Sequence, residues 1–178
     1  MRSCGACNAC CVTHKVNGVS GLAYPHDVKP CGQACSHLHP GKRTRRCRVY
    51  ETRPAGCRTF QCLWLAGILP EHMRPDRKGV GVVLDVDGVY EDVDGAPTLR
   101  EHIVKVWELY QGAASNPLVR ETVRVLVEGQ GVPVFVMHKG CIMEVHAPEG
   151  SHTERMIRER GGDLREVGFL DTHPGGGL

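Results

Sequence analysis

Nine of the ten cysteines fall within the first 62 residues of this 178-residue chain, beginning with Cys4-Gly-Ala-Cys7-Asn-Ala-Cys10-Cys11 and continuing through Cys31, Cys35, Cys47, Cys57 and Cys62. Such a density of thiols allows two foldable outcomes, a disulfide framework or a set of metal ligands. Met1-Arg2-Ser3 leads directly into Cys4 with no apolar segment before it, which predicts the absence of a secretory signal and a reducing, cytoplasmic setting. Thiols stay reduced there, and closely spaced reduced thiols read as ligands to a metal ion or an iron-sulfur centre.

The same segment cannot build a core unaided. Val12, Val16, Val19, Leu22 and Leu38 stand isolated among turn formers and follow neither helical nor strand periodicity. Aromatic residues make up only 5% of the chain, so metal-thiolate bonds, which contribute about 10 kcal/mol or more in small zinc peptides, are the natural source of stability. Cys4, Cys7 and Cys10 at successive two-residue spacings let one tight turn aim several sulfurs at a common centre. Cys10 and Cys11, taken as adjacent residues in non-helical backbone, project to opposite sides and serve two centres rather than one. Cys4, Cys7, Cys10, Cys11, Cys35, Cys47, Cys57 and Cys62 then form two sets of four, enough for about two Zn2+ ions or for iron-sulfur clusters. Spacing alone does not say which four belong together.

The closing part of the segment runs Cys47-Arg48-Val49-Tyr50-Glu51-Thr52-Arg53-Pro54-Ala55-Gly56-Cys57-Arg58-Thr59-Phe60-Gln61-Cys62. With the opening cysteines, this resembles the cysteine-cluster family named for its CxxCxxCC start, small bacterial proteins described as zinc- or iron-chelating. Cys4, Cys7, Cys10 and Cys11 match the start, while Cys35, Cys47, Tyr50, Arg53, Pro54, Cys57, Arg58, Phe60 and Cys62 match the continuation, across residues 4 to 65. Cys31 is not required by that pattern, and the Gly-rich link from Val16 to Tyr24 is shorter than the family's connection. The resemblance implies metal ligation by the eight matched cysteines. It also touches a flagellin lysine methylase that carries a similar cluster, which keeps S-adenosylmethionine-linked methyl transfer open as an alternative role.

Other residues of the segment have readable chemistry. Pro54 fixes the turn before Cys57, and Arg53 and Arg58 can donate to thiolate sulfur or backbone carbonyls, with solvated surface arginine as the plainer alternative. His14, His26, His37 and His39 could each replace a cysteine ligand, although none stands at a familiar paired spacing. Lys42, Arg43, Arg45, Arg46 and Arg48 make a basic run, but it lacks the interleaved aromatics of a stacking surface and reads as a solvated loop, not a nucleic-acid contact. Leu63 to Leu69 form an apolar run in which Trp64 is expected to cover the cysteines, and Arg74-Pro75-Asp76-Arg77-Lys78-Gly79 reads as a linker.

The sequence therefore divides into a cysteine-rich module at 1–78, a small α+β domain at 79–150, and a weak helix with a Gly-rich tail at 151–178. Val80 to Val86 and Val89 to Val93 predict a hairpin turning at Asp87-Gly88. Leu99, Ile103, Val106, Trp107 and Tyr110 lie at helical spacing and predict a helix over Thr98 to Gln111. Asn116-Pro117 opens a second helix with Val119, Val123, Leu126 and Val127 on its stripe. Val132 to Met137 and Cys141 to Val145 follow as strands, giving the order ββααββ, with Cys141 and Trp107 expected in the core. Gly79-Val80-Gly81 precedes a strand instead of joining one to a helix, so it is not a dinucleotide loop. Asp85, Asp87, Asp92 and Asp94 lack the spacing of a calcium loop.

A net charge of +2 gives no field that would draw nucleic acid, and no apolar run approaches the roughly 20 residues of a membrane helix. The expectation is a metal-binding protein with the metal ion as its partner, whose protein partner and cellular role are undetermined. No recognisable general base, nucleophile pair or cofactor loop accompanies the cysteines, so enzymatic activity is left undecided; metal trafficking is the third class.

Overall fold

The computed structural model of the chain describes residues 2–4, 7–16, 28–39 and 47–162. His26, most of the Gly-rich link, the basic residues from Lys42 to Arg46 and the C-terminal tail lie outside these. Among the described residues the fold is α+β, built on a four-stranded mixed sheet of order β1-β2-β3-β4. Strand β1 is Val82–Val93, β2 is Ala96–Glu108, β3 is Val134–His138 and β4 is Cys141–His146. Strands β1 and β2 pair antiparallel, β2 and β3 parallel, and β3 and β4 antiparallel.

Two sequence expectations are overturned here. The segment from Thr98 to Gln111 is not a helix: up to Glu108 it lies in β2, the long inner strand, and its last three residues turn away from it. Ile103, Val104, Val106 and Trp107 are buried on consecutive as well as alternate positions, as happens when a strand is covered on both faces. Periodicity cannot then distinguish strand from helix, and β-branched content is the better guide. Nor does the hairpin turn at Asp87-Gly88. Strand β1 passes straight through that pair, and the two-residue turn is Asp94-Gly95, between the partners Val93 and Ala96. Asp94 at φ 55° and Gly95 at φ 81° supply the two left-handed residues that a twisted hairpin prefers. Both Asp-Gly pairs have turn chemistry, but only the second leaves β2 enough length to pair with all of β1.

The parallel pairing of β2 and β3 requires a crossover, which α3 (Pro117–Arg124, numbered after two short helices in the cysteine region) supplies. Asn116 caps α3 by accepting from the Leu118 amide, Pro117 fills its first turn, and Val119 and Val123 face inward. The helix continues as a π-helical turn, Val125–Gly129. The observed order is thus ββαββα. The last helix, α4 (His152–Glu159), begins with Ser151 accepting from the Glu154 amide. It docks through Glu101 of β2, whose carboxylate accepts from the backbone amide of Thr153 at 2.8 Å and from its hydroxyl at 2.6 Å. Cys141, expected in the core, is exposed at the first position of β4, next to the tight Lys139-Gly140 turn.

One apolar cluster joins the cysteine region to the sheet. Ala9, Cys62, Leu63, Trp64, Leu69 and Met73 belong to it together with Val82, Leu84, Val106 and Phe135. The amide of Leu63 donates to the Leu84 carbonyl at 2.8 Å, which lays the start of the apolar run against β1. Arg2 fastens the N-terminus to the same run, its guanidinium donating to the Trp64 carbonyl at 2.6 Å and lying 5.2 Å from the Trp64 ring centroid. Among the described residues no helix is long and apolar enough to cross a membrane.

Candidate metal centre

Cys10–Thr13 form the short helix α1, with Ala9 at its N-cap. The premise that Cys10 and Cys11 sit in non-helical backbone is therefore corrected. They are consecutive residues of one helical turn, and consecutive helical side chains still diverge. Their thiols nonetheless touch: a hydrogen bond from the Cys10 thiol to the Cys11 sulfur is the main reason Cys11 falls to about 7 and Cys10 rises well above the ordinary thiol range. Lys29 and Arg53 also draw Cys11 down, against the effect of burial.

Other cysteine-bearing segments make backbone contacts with this helix or with one another. Cys4 and Cys7 are closed into a turn by the Cys7 amide, which donates to the Cys4 carbonyl at 2.7 Å. Cys35 is held to the helix by its amide donating to the Cys11 carbonyl at 3.0 Å, and Leu38, whose amide bonds the Cys35 carbonyl, pairs with Cys47 in an isolated bridge. Cys57 lies in α2 (Ala55–Thr59), which starts directly after Pro54 at φ −52°, the dihedral a proline ring imposes. Cys62 follows at the edge of the shared core. Burial raises the thiols of Cys4, Cys47 and Cys62, and it pushes Cys7 and Cys57 up to about 11.

Positive charge is built into the cluster. Lys29 is fully buried at 1% exposure, and its ammonium donates to the carbonyls of His14, Val12 and Pro30, the last at 2.9 Å. Burial lowers its pKa, while the nearby Cys31, Cys35, Cys11 and Cys10 oppose that shift by favouring the charged form. Arg53 lies 3.9 Å from the Tyr50 ring centroid and within electrostatic reach of Cys4, Cys11, Cys47 and Cys57. The spacing of the motif pointed to Arg53, but nothing in the sequence pointed to Lys29. Arg58, its motif companion, is exposed.

The histidines take other places. The His14 ring packs 4.5 Å from Phe60 and 4.7 Å from Trp107, and its Nδ1 lies 2.7 Å from the Thr13 hydroxyl. His37 is half-buried and accepts the Arg48 amide at its carbonyl, and His39 is exposed.

Among the described residues no three cysteine, histidine, aspartate or glutamate side chains converge on a point that would hold an ion. The cysteines are neighbours, not a closed polyhedron. Thiol sulfur is a donor that a thiophilic ion accepts, and a buried ammonium, Lys29, and a guanidinium, Arg53, stand near several of these thiols, where they would offset thiolate charge. No family model, curated protein or solved structure matches the chain.

Proposed function

We propose that this protein binds metal through Cys4, Cys7, Cys10, Cys11, Cys35, Cys47, Cys57 and Cys62, as zinc or as an iron-sulfur centre. One observation carries the reading: the backbone folds cysteine-bearing segments onto one another, Cys35 onto the Cys11 carbonyl and Cys47 beside Cys35 through its bridge to Leu38, although burial and mutual repulsion both disfavour ionised thiols there. Assembling them without a metal gains little. A metal ion converts that repulsion into ligation and releases the protons. A closed four-thiolate zinc site would make the module structural, whereas an iron-sulfur centre would supply electron transfer and open the alternative of redox or methyl-transfer chemistry.

Anaerobic purification followed by elemental analysis, acid-labile sulfide assay and a visible spectrum tests the proposal. A colourless protein with about two zinc ions and no sulfide identifies zinc. A brown protein with stoichiometric sulfide identifies the iron-sulfur alternative. A reduced, folded protein that retains no metal and takes none up overturns both.

A further inference from the structure

Away from the eight thiols discussed above, three chemistry-bearing side chains stand in a row across one end of the sheet. Glu108 ends β2, His138 ends the parallel strand β3 beside it, and Cys141 opens β4 as the direct cross-strand partner of His138. Directly opposed residues of an antiparallel pair have Cβ atoms about 5 Å apart on one face of the sheet. His138 Nδ1 lies 3.8 Å from Glu108 Oε2, and the two side chains are only 14% and 5% exposed. The other carboxylate oxygen accepts the Ala114 amide at 2.8 Å, which anchors Glu108. The buried Nδ1 has no hydrogen-bond partner of its own, so the carboxylate is the group it answers to. Nε2 is then the ring nitrogen left for the thiol on the next strand.

Cys141 is also the exposed member of the ten cysteines, the other nine being half-buried or buried, and it lies on the outermost strand. The further charged and titratable groups around the pair are Lys139 in the turn between the two residues, Glu144 on β4, which pairs with His146 at 3.2 Å, and Cys31, which packs on Gly140.

We infer that Cys141 is a nucleophilic thiol for exchange with small disulfides, with His138 as its base and Glu108 as the residue that positions the imidazole. A thiol needs a neighbouring base to react at neutral pH, and a base needs a third group to fix its orientation; this row supplies both. Acyl transfer would require free N-H donors for an oxyanion, and the Ala114 amide beside the row is already committed to Glu108. Disulfide exchange keeps the developing charge on sulfur and needs no such donors. In the step, the thiol proton passes to His138 and the Cys141 sulfur attacks one sulfur of the disulfide. The S-S bond breaks, and the departing thiolate recovers the proton from His138. Cys141 ends oxidised in a mixed disulfide, and the departing sulfur ends reduced as a thiol.

The experiment uses the full-length reduced chain with glutathione disulfide as probe, its adducts mapped by mass spectrometry over time. Cys141 is expected to be the first cysteine modified at pH 7; earlier modification of any other cysteine overturns the proposal. His138→Asn is expected to slow that reaction about tenfold at pH 7 and to match wild type within about twofold at pH 9.5, where a thiol ionises without a base. Equal rates at pH 7 remove His138 from the role, and an equal deficit at both pH values shows that the substitution only disturbs the fold. Glu108→Gln, which keeps an acceptor for the Ala114 amide, is expected to reproduce the pH 7 deficit in part; wild-type rates throughout would strip Glu108 of its positioning role. A comparison that needs no substitution sets the folded chain against the urea-unfolded chain: Cys141 is expected to react about tenfold faster when folded at pH 7, and a rate no faster than in urea overturns activation by the fold.

Discussion

His14 Nε2 lies 3.5 Å from Asp85 Oδ2, so the residue that follows helix α1 faces a carboxylate of strand β1. The other oxygen of Asp85 accepts the Trp107 indole N-H at 2.7 Å, and Trp107 in turn stacks on His14. This seam of three side chains joins the cysteine region to the sheet, and its members are drawn from positions 14, 85 and 107. Asp85→Ala leaves the indole N-H without its acceptor and is expected to destabilise the protein by about 1–3 kcal/mol, with Asp85→Asn closer to wild type because an amide oxygen can still accept. Urea unfolding measures both. Equal losses in the two variants would show that the carboxylate charge, not the indole hydrogen bond, is what matters.

Chelation separates the two parts of the molecule. The sheet carries its own core in Val82, Ile103, Val106, Val134 and Phe135, whereas the described residues up to 39 contribute only Ala9 and Leu38 to the buried apolar set. A strong chelator under reducing conditions is therefore expected to expose the N-terminal stretch to protease while the region from Val80 to Glu159 stays protected. Unchanged protection of the first 39 residues would count against metal-dependent folding.

Metal uptake should be steeply dependent on pH. Cys4, Cys7, Cys10, Cys47, Cys57 and Cys62 all have raised pKa values, so at neutral pH loading the eight thiols should release at least about six protons. Calorimetry in buffers of different ionisation enthalpy counts them, and a release below about four would refute ligation by the full set.

The hairpin can be tested by a single substitution. Gly95 holds φ 81°, with nothing within 4 Å of an added Cβ, so Gly95→Val adds backbone strain without a clash. It is expected to cost about 1–2 kcal/mol in denaturant unfolding. Were the loss negligible, the turn would not depend on left-handed backbone at that position.

Cys31→Ser and Cys141→Ser are expected to retain full metal content, whereas Cys7→Ser and Cys57→Ser lose metal. Elemental analysis of the four variants decides this, and metal loss from the Cys141 variant would contradict its exposed place on β4.

Local chemistry was legible in the sequence where one residue dictates one conformation. Asn116-Pro117 announces the start of α3 because an amide cap and a fixed φ act without help from the rest of the fold, and Pro54 sets the turn before Cys57 in the same way. The α+β class was also readable, from strand-rich and helix-rich runs following one another after residue 79. What distance along the chain conceals, only the tertiary structure decided. Burial on both faces made β2 a strand despite its helical spacing, since a central strand has no solvent side to reveal its period. The choice of Asp94-Gly95 over Asp87-Gly88 followed from the length of β2 available for pairing. Lys29 gave no signal because a lysine in a loop is ordinarily solvated; it becomes a buried cation only when the Val16–Lys29 bridge turns it toward three carbonyls and the thiols beside them. The neighbours of each cysteine were equally hidden, because proximity among sulfurs depends on how Cys35, Cys47, Cys57 and Cys62 fold back on α1, which spacing does not encode.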